Sequence, residues 1–453
     1  MDLFGKKALV CGMATSGISA AKLLRSKGAI VTLQDLKEEE KFDIDLNKIK
    51  SLGIDLFLGK NPDEIVGDFD LMVISPGLDL ELSFIRKAME LGVEVIGEFE
   101  LGARFCKAPI LAITGTNGKT TTTALLGKIV ASYHKDSQVV GNIGIAFTEK
   151  CESISKNSIC VAEVSSFQLE SSPDFNPHVA AILNITPDHL DRHKTFENYA
   201  NVKASIAKNH TSSDYLILNY DDNNCQRIAK TVKSRVIFFS STNILEEGVY
   251  LKNGEYICLK LDGEEYDVAH IDELKVLGKH NHENVMAAVL MAYLAKIPLA
   301  HIRREIIDFG GVEHRIEYVT TINDIEFYND SKGTNSDASE KSIEAMKRPI
   351  VLIGGGYDKN ADFTDWIKKF RGRVKEFVIL GEVKEKIART CDDVGFKNYT
   401  LVDSFEVAVN LAYEKANSGD CVLLSPACAS WDMFKSFEER GEIFKSLIYK
   451  LKK

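Results

Sequence analysis

The chain has 453 residues, 45% hydrophobic and 27% charged, the balance of a water-soluble globular protein of about two to four domains. Its net charge of −10 argues against a nucleic-acid or anionic-membrane surface, so any anionic ligand must be caught by local loops and helix ends. Nine cysteines without CxxC or metal-type spacing imply reduced thiols, and with no apolar run of about 18 residues and no signal-like leader, a monomeric cytoplasmic protein without a membrane span is expected.

Taken in chain order, an apolar strand from Lys7 ends at Gly12, helical spacing runs from Ile18 to Ser26, and Ala29 to Asp35 forms a second strand. This βαβ unit closes its second strand on an acidic residue, as dinucleotide-binding folds do. Its turn reads Gly12-Met-Ala-Thr-Ser-Gly17, with Ala14 where the fingerprint has its middle glycine, so a nicotinamide cofactor is disfavoured. Two readings stand: a Rossmann-like layer with no ligand, or a turn at Thr15, Ser16 and Gly17 that holds a nucleotide diphosphate with Asp35 near the base or ribose. A further strand from Leu71 to Ile74 runs into Ser75-Pro-Gly77, at a strand end where open α/β sheets place ligands.

Residues 111–122 are the strongest signal in the chain. An apolar run ends at Thr114, a turn follows through Gly115, Thr116, Asn117 and Gly118, then Lys119, Thr120 and Thr121 open a helical pattern. Glycines let backbone N–H groups turn inward on a polyphosphate, the helix N-terminus adds a partial positive charge, and the lysine adds a full one. A hydroxyl directly after the lysine can ligate Mg²⁺. Ile113 stands where the full phosphate-loop pattern has its first glycine. The stretch predicts binding of a nucleoside triphosphate.

Four patterns follow. Gly141-Asn142-Ile-Gly144 is a turn, and Ile159 to Glu163 is a buried-type strand ending in a carboxylate. Such a carboxylate commonly completes the Mg²⁺ shell beside a phosphate loop, although it could also cap the next helix or pair with a lysine. The strand from Ala180 leads into Thr186-Pro-Asp-His189-Leu-Asp-Arg-His193, where His189 is either a turn residue or a ligand. Lys203 lies in the next helix and by pattern alone is solvated. Asn281 and Asn284 share a face at a helix start, which suits either contacts to a base or N-cap chemistry.

After the Gly310-Gly311 break, strands again alternate with helices, so the last segment is a third α/β layer. Lys332, Thr334, Lys359 and Ser430 cluster where strands hand over to helices and suit carboxylates, though each alone is also ordinary turn chemistry. The expected fold is α/β in three domains: a Rossmann-like domain at 1–97, a central phosphate-loop ATPase domain with a parallel sheet at 98–311, and a C-terminal Rossmann-like domain at 312–453.

Together these stretches resemble the Mur ligase family, ATP-dependent amide-forming enzymes of peptidoglycan assembly. The resemblance covers essentially the whole chain and includes Thr114-Gly-Thr-Asn-Gly-Lys-Thr-Thr121, Gly141-Asn-Ile-Gly144, Glu163-Val-Ser-Ser-Phe-Gln-Leu-Glu170 and Asp188-His-Leu-Asp-Arg-His193. It continues through His280-Asn-His-Glu-Asn284, His314-Arg315 and Asn329-Asp-Ser-Lys-Gly-Thr-Asn335. The family's own loop lacks the first glycine, which accounts for Ile113. The stretches 355–363 and 425–441 are similar to those that receive D-glutamate in the branch acting on UDP-N-acetylmuramoyl-L-alanine.

The resemblance implies roles residue by residue. Lys119 would hold the β- and γ-phosphates, Thr120 and Glu163 one Mg²⁺, and His189 a second. Lys203 falls where the family carries a carbamylated lysine, an oxygen ligand for Mg²⁺. Asn142 would steady the reacting acyl group. Asn281, Asn284, Arg315 and Asp330 would hold ATP, with Arg315 and Lys332 also near its phosphates. Thr334, Lys359, Ser430 and Phe437 would frame D-glutamate, and Thr15, Ser16, Asp35 and Gly77 the uridine diphosphate. A nicotinamide oxidoreductase built on the first domain leaves most of the chain unexplained, and a non-catalytic ATP-gated scaffold has no need of Lys119, Glu163, His189 and Lys203 together.

Overall fold

The computed structural model describes residues 1–142, 144–358 and 361–452. These divide into two bodies, Met1–Ala269 with Glu283–Ile306 and His270–His282 with Ile307–Lys453.

The first body begins with a five-stranded parallel sheet in which Lys7–Cys11 is the middle strand, flanked by Ile30–Asp35 and Leu71–Ile74. Leu9 and Val10 are buried on opposite faces of that strand, as expected of a sheet covered on both sides. The helix Thr15–Ser26 packs close above the turn, and a Cβ at Gly17 would overlap the carbonyl oxygen of Gly12. That is the packing task of the last glycine in the fingerprint. The expected helix start at Ile18 is one turn late because no side-chain cap marks the boundary; Ala14 is the N-cap.

The same body carries a nine-stranded mixed sheet. Third from one edge, Ile110–Thr114 lies parallel between Cys160–Glu163 and Val179–Ile182, with Ile113 opposite Glu163. Every residue of this strand is buried, and its C-terminal end opens onto the phosphate loop. The parallel part continues through Tyr215–Asn219 and Arg235–Ser240 to Gly248–Lys252. There the direction reverses, because Gly248–Lys252 pairs antiparallel with Tyr256–Leu261 across a short turn. The parallel sheet expected of this domain is present, and the antiparallel edge added to it is built from residues that the motifs do not cover. Between the two sheets of this body, the buried carboxylate of Glu98 accepts from the backbone N–H and the hydroxyl of Thr148.

The second body holds a six-stranded sheet with Cys421–Leu424 between Glu326-containing strand Ile325–Asn329 and Ile350–Gly355, all parallel. Its first strand, Glu317–Ile322, joins antiparallel at one edge. An aromatic cluster of Phe363, Trp366, Phe370 and Phe377 fills one face. Among the described residues, no helix is long and apolar enough to cross a membrane.

Candidate active site

The phosphate loop leaves the strand Ile110–Thr114 and enters the helix Lys119–Tyr133. Gly118 is the N-cap in a left-handed conformation, φ 83°, and a Cβ there would overlap the side-chain oxygen of Asn284. Glycine is therefore required twice, by backbone conformation and by contact. Asn184, just past the strand Val179–Ile182, holds the loop from one side: its carboxamide oxygen accepts from Asn117 N–H at 2.8 Å and its carbonyl accepts from Thr116 N–H at 3.0 Å. The Thr116 hydroxyl lies 3.1 Å from the Tyr199 hydroxyl and donates to the Thr186 carbonyl.

Two lysines converge on one carbonyl. Lys119 Nζ donates to Gly115 O and Thr116 O, both at 2.9 Å, and Lys203 Nζ donates to Gly115 O at 2.8 Å. Lys203 is 1% exposed, set over the Tyr199 ring. Burial first, and the charge of Lys119 second, lower its pKa from 10.5 to about 7. A helical lysine read as solvated is thus a buried amine close to neutral, and the helical pattern around it carried no sign of this. Thr120 is half-buried and Thr121 buried in the first turn of the same helix.

Glu163 ends the neighbouring strand, 1% exposed. Its Oε1 accepts from the Asn142 carboxamide at 2.7 Å, while Oε2 has no hydrogen-bond partner among the described residues. A buried carboxylate oxygen left without a donor is costly unless a cation meets it. An oxygen donor of this kind suits a hard divalent ion. His189 takes a left-handed backbone, φ 51°, stands half-exposed and packs against Phe167 at 4.9 Å. Such conformations in a non-glycine residue concentrate at functional sites.

At the first sheet, Thr15 and Ser16 open the helix whose N-terminus has no side-chain cap. Asp35 closes the turn: its carboxylate accepts from Met13 N–H at 2.9 Å and Lys37 N–H at 3.0 Å. Gly77 follows the strand Leu71–Ile74, with open space on its side. Sequence reading gave Asp35 a ligand role and did not foresee that both oxygens are engaged by backbone.

In the second body, Asp330 is buried, with Oδ2 accepting from the Ser342 and Ser425 hydroxyls at 2.6 and 2.7 Å and Oδ1 from Ile316 N–H at 3.3 Å. Burial raises its pKa from 3.8 to about 6. Arg315 is exposed in a turn whose neighbours are both left-handed, His314 at φ 63° and Ile316 at φ 45°. Lys332 lies over the Phe437 ring, 5.5 Å from its centroid, and Thr334 N–H donates to the Lys332 carbonyl. Ser430 is buried, and Asn281 donates to the Leu277 carbonyl. Lys359 lies outside the described residues. Arg440, which no motif singled out for a role, ties these loops together by donating to Ser331 Oγ, Ser331 O, Cys428 O and Ala429 O. Its burial lowers the guanidinium from 12.5 to about 10.

The fold and this loop define an α/β protein of the phosphate-loop class. Family models match three consecutive spans: the Mur ligase MurD-like N-terminal domain over residues 6–97, the Mur ligase middle domain over 113–292, and the Mur ligase glutamate ligase domain over 314–428. The chain is 47% identical over 453 residues, 100% of each, to the UDP-N-acetylmuramoylalanine–D-glutamate ligase of Lachnoclostridium phytofermentans. It is 45% identical over 455 residues, again 100% of each, to the ligase of that name from Alkaliphilus metalliredigens. Among solved structures it resembles in fold the UDP-N-acetylmuramate-alanine ligase MurC of Thermotoga maritima, with TM-score 0.58 and 19% identity over 99% of this chain and 100% of that one. The chain belongs to the Mur ligase family.

Proposed function

We propose that the protein is an ATP-dependent amide ligase that adds D-glutamate to UDP-N-acetylmuramoyl-L-alanine in cytoplasmic peptidoglycan precursor synthesis, working as a monomer. The observation that carries the reaction type is the convergence of Lys119 and Lys203 on Gly115 O one strand away from the unbonded Glu163 oxygen. The amino acid and the acceptor come from the full-length likeness to relatives bearing that name.

The chemistry follows from what the groups can do. A carboxylate is a poor acyl donor because it would have to expel oxide. Transfer of the γ-phosphoryl group of ATP onto the alanyl carboxylate makes an acyl phosphate; the neutral amine of D-glutamate then attacks the carbonyl and phosphate leaves. The protein's part is to position the groups and neutralise charge. Lys119 supplies a full positive charge beside the loop, and the stretch Gly115 to Thr121 cradles the phosphates through N–H groups other than those of Thr116 and Asn117, which Asn184 holds. Asn142, held against Glu163, presents its carboxamide to the acyl group. Within the first body, Asn284, which lies against Gly118 of the loop, serves ATP. In the second body, Thr334, Ser430 and Phe437 receive D-glutamate with Lys359, and Arg315, Asp330, Lys332 and Asn281 are its candidates for ATP contacts. Thr15, Ser16, Asp35 and Gly77 serve the uridine diphosphate.

Divalent cations fit the donor set: Thr120, Glu163, His189 and Lys203 would hold Mg²⁺, which supplies charge neutralisation for the phosphates when bound. Lys203 joins that set only as a carbamate. Carbamate formation needs a neutral amine to attack CO₂, and a pKa lowered to about 7 supplies one near neutral pH. The test is release of ADP that requires both UDP-N-acetylmuramoyl-L-alanine and D-glutamate. Equal turnover with L-lysine or diaminopimelate would overturn the amino-acid assignment.

A further inference from the structure

Arg192 sits in a position the reaction chemistry does not use. Its Nη2 donates to Glu170 Oε2 at 2.7 Å and to the Leu78 carbonyl at 2.8 Å, Nε donates to Glu170 Oε2 at 3.0 Å, and Nη1 reaches the Gly77 carbonyl at 3.5 Å. One rigid guanidinium therefore joins the nucleotide-side turn of the first sheet to the helix Ser166–Glu170 that follows Glu163. Both partners of the ion pair are mostly buried, 13% and 16% exposed, so the pair is less screened than a surface one.

The same residue is linked to His189 by one direct bond and by a ring that both side chains share. Its backbone N–H donates to the His189 carbonyl at 3.2 Å, within a helix only four residues long, Leu190–His193. Its guanidinium stacks on Phe167 at 4.6 Å, and the His189 imidazole packs on that same ring at 4.9 Å. The other carboxylate oxygen of Glu170 lies 3.1 Å from His193 Nδ1, and His193 Nε2 meets the Ser166 hydroxyl at 3.0 Å. So the backbone of His189, already in a sparsely populated conformation, is followed by a short helix whose last two side chains are held to the helix Ser166–Glu170, Arg192 by Glu170 and His193 by the Ser166 hydroxyl. The turn has room to respond to a ligand, since a Cβ at Gly77 would meet no described atom within 4 Å.

We propose that Arg192 is a positioning residue that couples occupancy of the nucleotide-sugar turn at Gly77 and Leu78 to the divalent-cation site at His189. The proposal rests on the functional reading above. It means that the sugar nucleotide and the cation tighten each other by the same factor, as linkage requires.

The test is binding, not turnover. Mn²⁺ stands in for Mg²⁺, and its free-ion paramagnetic resonance signal is titrated with the full-length protein and a non-hydrolysable ATP analogue, with and without UDP-N-acetylmuramoyl-L-alanine. In the unaltered protein the sugar nucleotide tightens Mn²⁺ about tenfold, within the usual range of such couplings. Arg192→Met keeps an apolar stem over Phe167 and removes the charge and the donors, so that factor falls to about one while the protein still unfolds cooperatively. Arg192→Lys retains a single charge and an intermediate factor, and it carries the test if the methionine variant does not fold. An arginine that merely braces the fold would change thermal stability and leave the factor unaltered. An unaltered factor in a folded Arg192→Met or Arg192→Lys protein overturns the proposal, as does the absence of any coupling in the parent. If the parent binds neither the sugar nucleotide nor Mn²⁺ with the ATP analogue, the functional reading falls and takes the proposal with it; a parent that turns over with D-glutamate yet shows an arginine-independent factor refutes the coupling alone.

Discussion

Two clusters of buried charge sit at the strand ends of this protein, and they differ in how completely they are bonded. Around Asp330 two serine hydroxyls and a backbone N–H supply donors to both carboxylate oxygens. Around Glu163 one oxygen is held by Asn142 and the other has no partner among the described residues. Both carboxylates are buried, so burial alone does not separate them. Saturation does: the first cluster takes its donors from its own loops before any ligand binds, and the second keeps a valence for something that arrives. The cations repeat the contrast. Arg440 spends its donors on the carbonyls of three residues and one hydroxyl, whereas Lys119 and Lys203 share the Gly115 carbonyl, with Lys119 also reaching that of Thr116.

That contrast can be broken by substitution. Lys119→Ala removes the full charge at the phosphate loop and should lower turnover about 1000-fold, the upper loss for a group that stabilises developing charge. Steady-state ADP release measures it, and near-normal turnover would sink the phosphate-loop assignment. Glu163→Gln keeps the shape and the bond to Asn142 but removes the unbonded charge. Turnover should fall about 100-fold with a raised Mg²⁺ requirement, while the unfolding temperature stays level or rises. A drop in that temperature would show the carboxylate to be structural after all.

Asp330→Ala reverses the expectation, leaving two hydroxyls and an N–H without an acceptor and costing about 2 kcal/mol of stability in denaturant unfolding. A neutral result there would erase the distinction between the clusters. Lys203 should show a pH dependence set by its lowered pKa. Its neutral fraction rises about tenfold between pH 6 and pH 8, and so should a carbamate signal from ¹³C-bicarbonate in nuclear magnetic resonance. Absence of that signal across the range, or its persistence in Lys203→Ala, would remove the carbamate from the account. Charging this buried amine also opposes folding. The cost is full below about pH 7 and fades as the pH rises toward the unfolded value of 10.5.

The phosphate loop, the strand ending in Glu163 and the βαβ start were legible because each is local: apolar runs, glycines and a polar handover within a dozen residues. The antiparallel pair Gly248–Lys252 with Tyr256–Leu261 carried no motif and was passed over, although Val249, Tyr250, Tyr256 and Ile257 are residue types that favour strands. Lys203 shows the limit from the other side. Its burial comes from Gly115 and Tyr199, contacts made by folding, and a helical pattern cannot report them. Arg192 and Arg440 were visible only as members of quoted stretches, since their partners lie far away in sequence. Asn184 offered a usable signal: a polar amide directly behind a buried strand, next to the loop it braces.

The turn around Arg315 has a consequence in temperature. Ile316 is a β-branched residue at φ 45°, a conformation costing about 1–3 kcal/mol, and beyond the long 3.3 Å bond from its N–H to Asp330 Oδ1 its backbone gains little there. What chiefly offsets the strain is burial of its side chain in the apolar core of the second body, a gain of about 1.5–3 kcal/mol. The two terms nearly cancel, and the favourable one weakens on cooling. The segment presenting Arg315 is therefore anchored by a force that fades in the cold, and it should be among the first parts of that body to loosen as temperature falls.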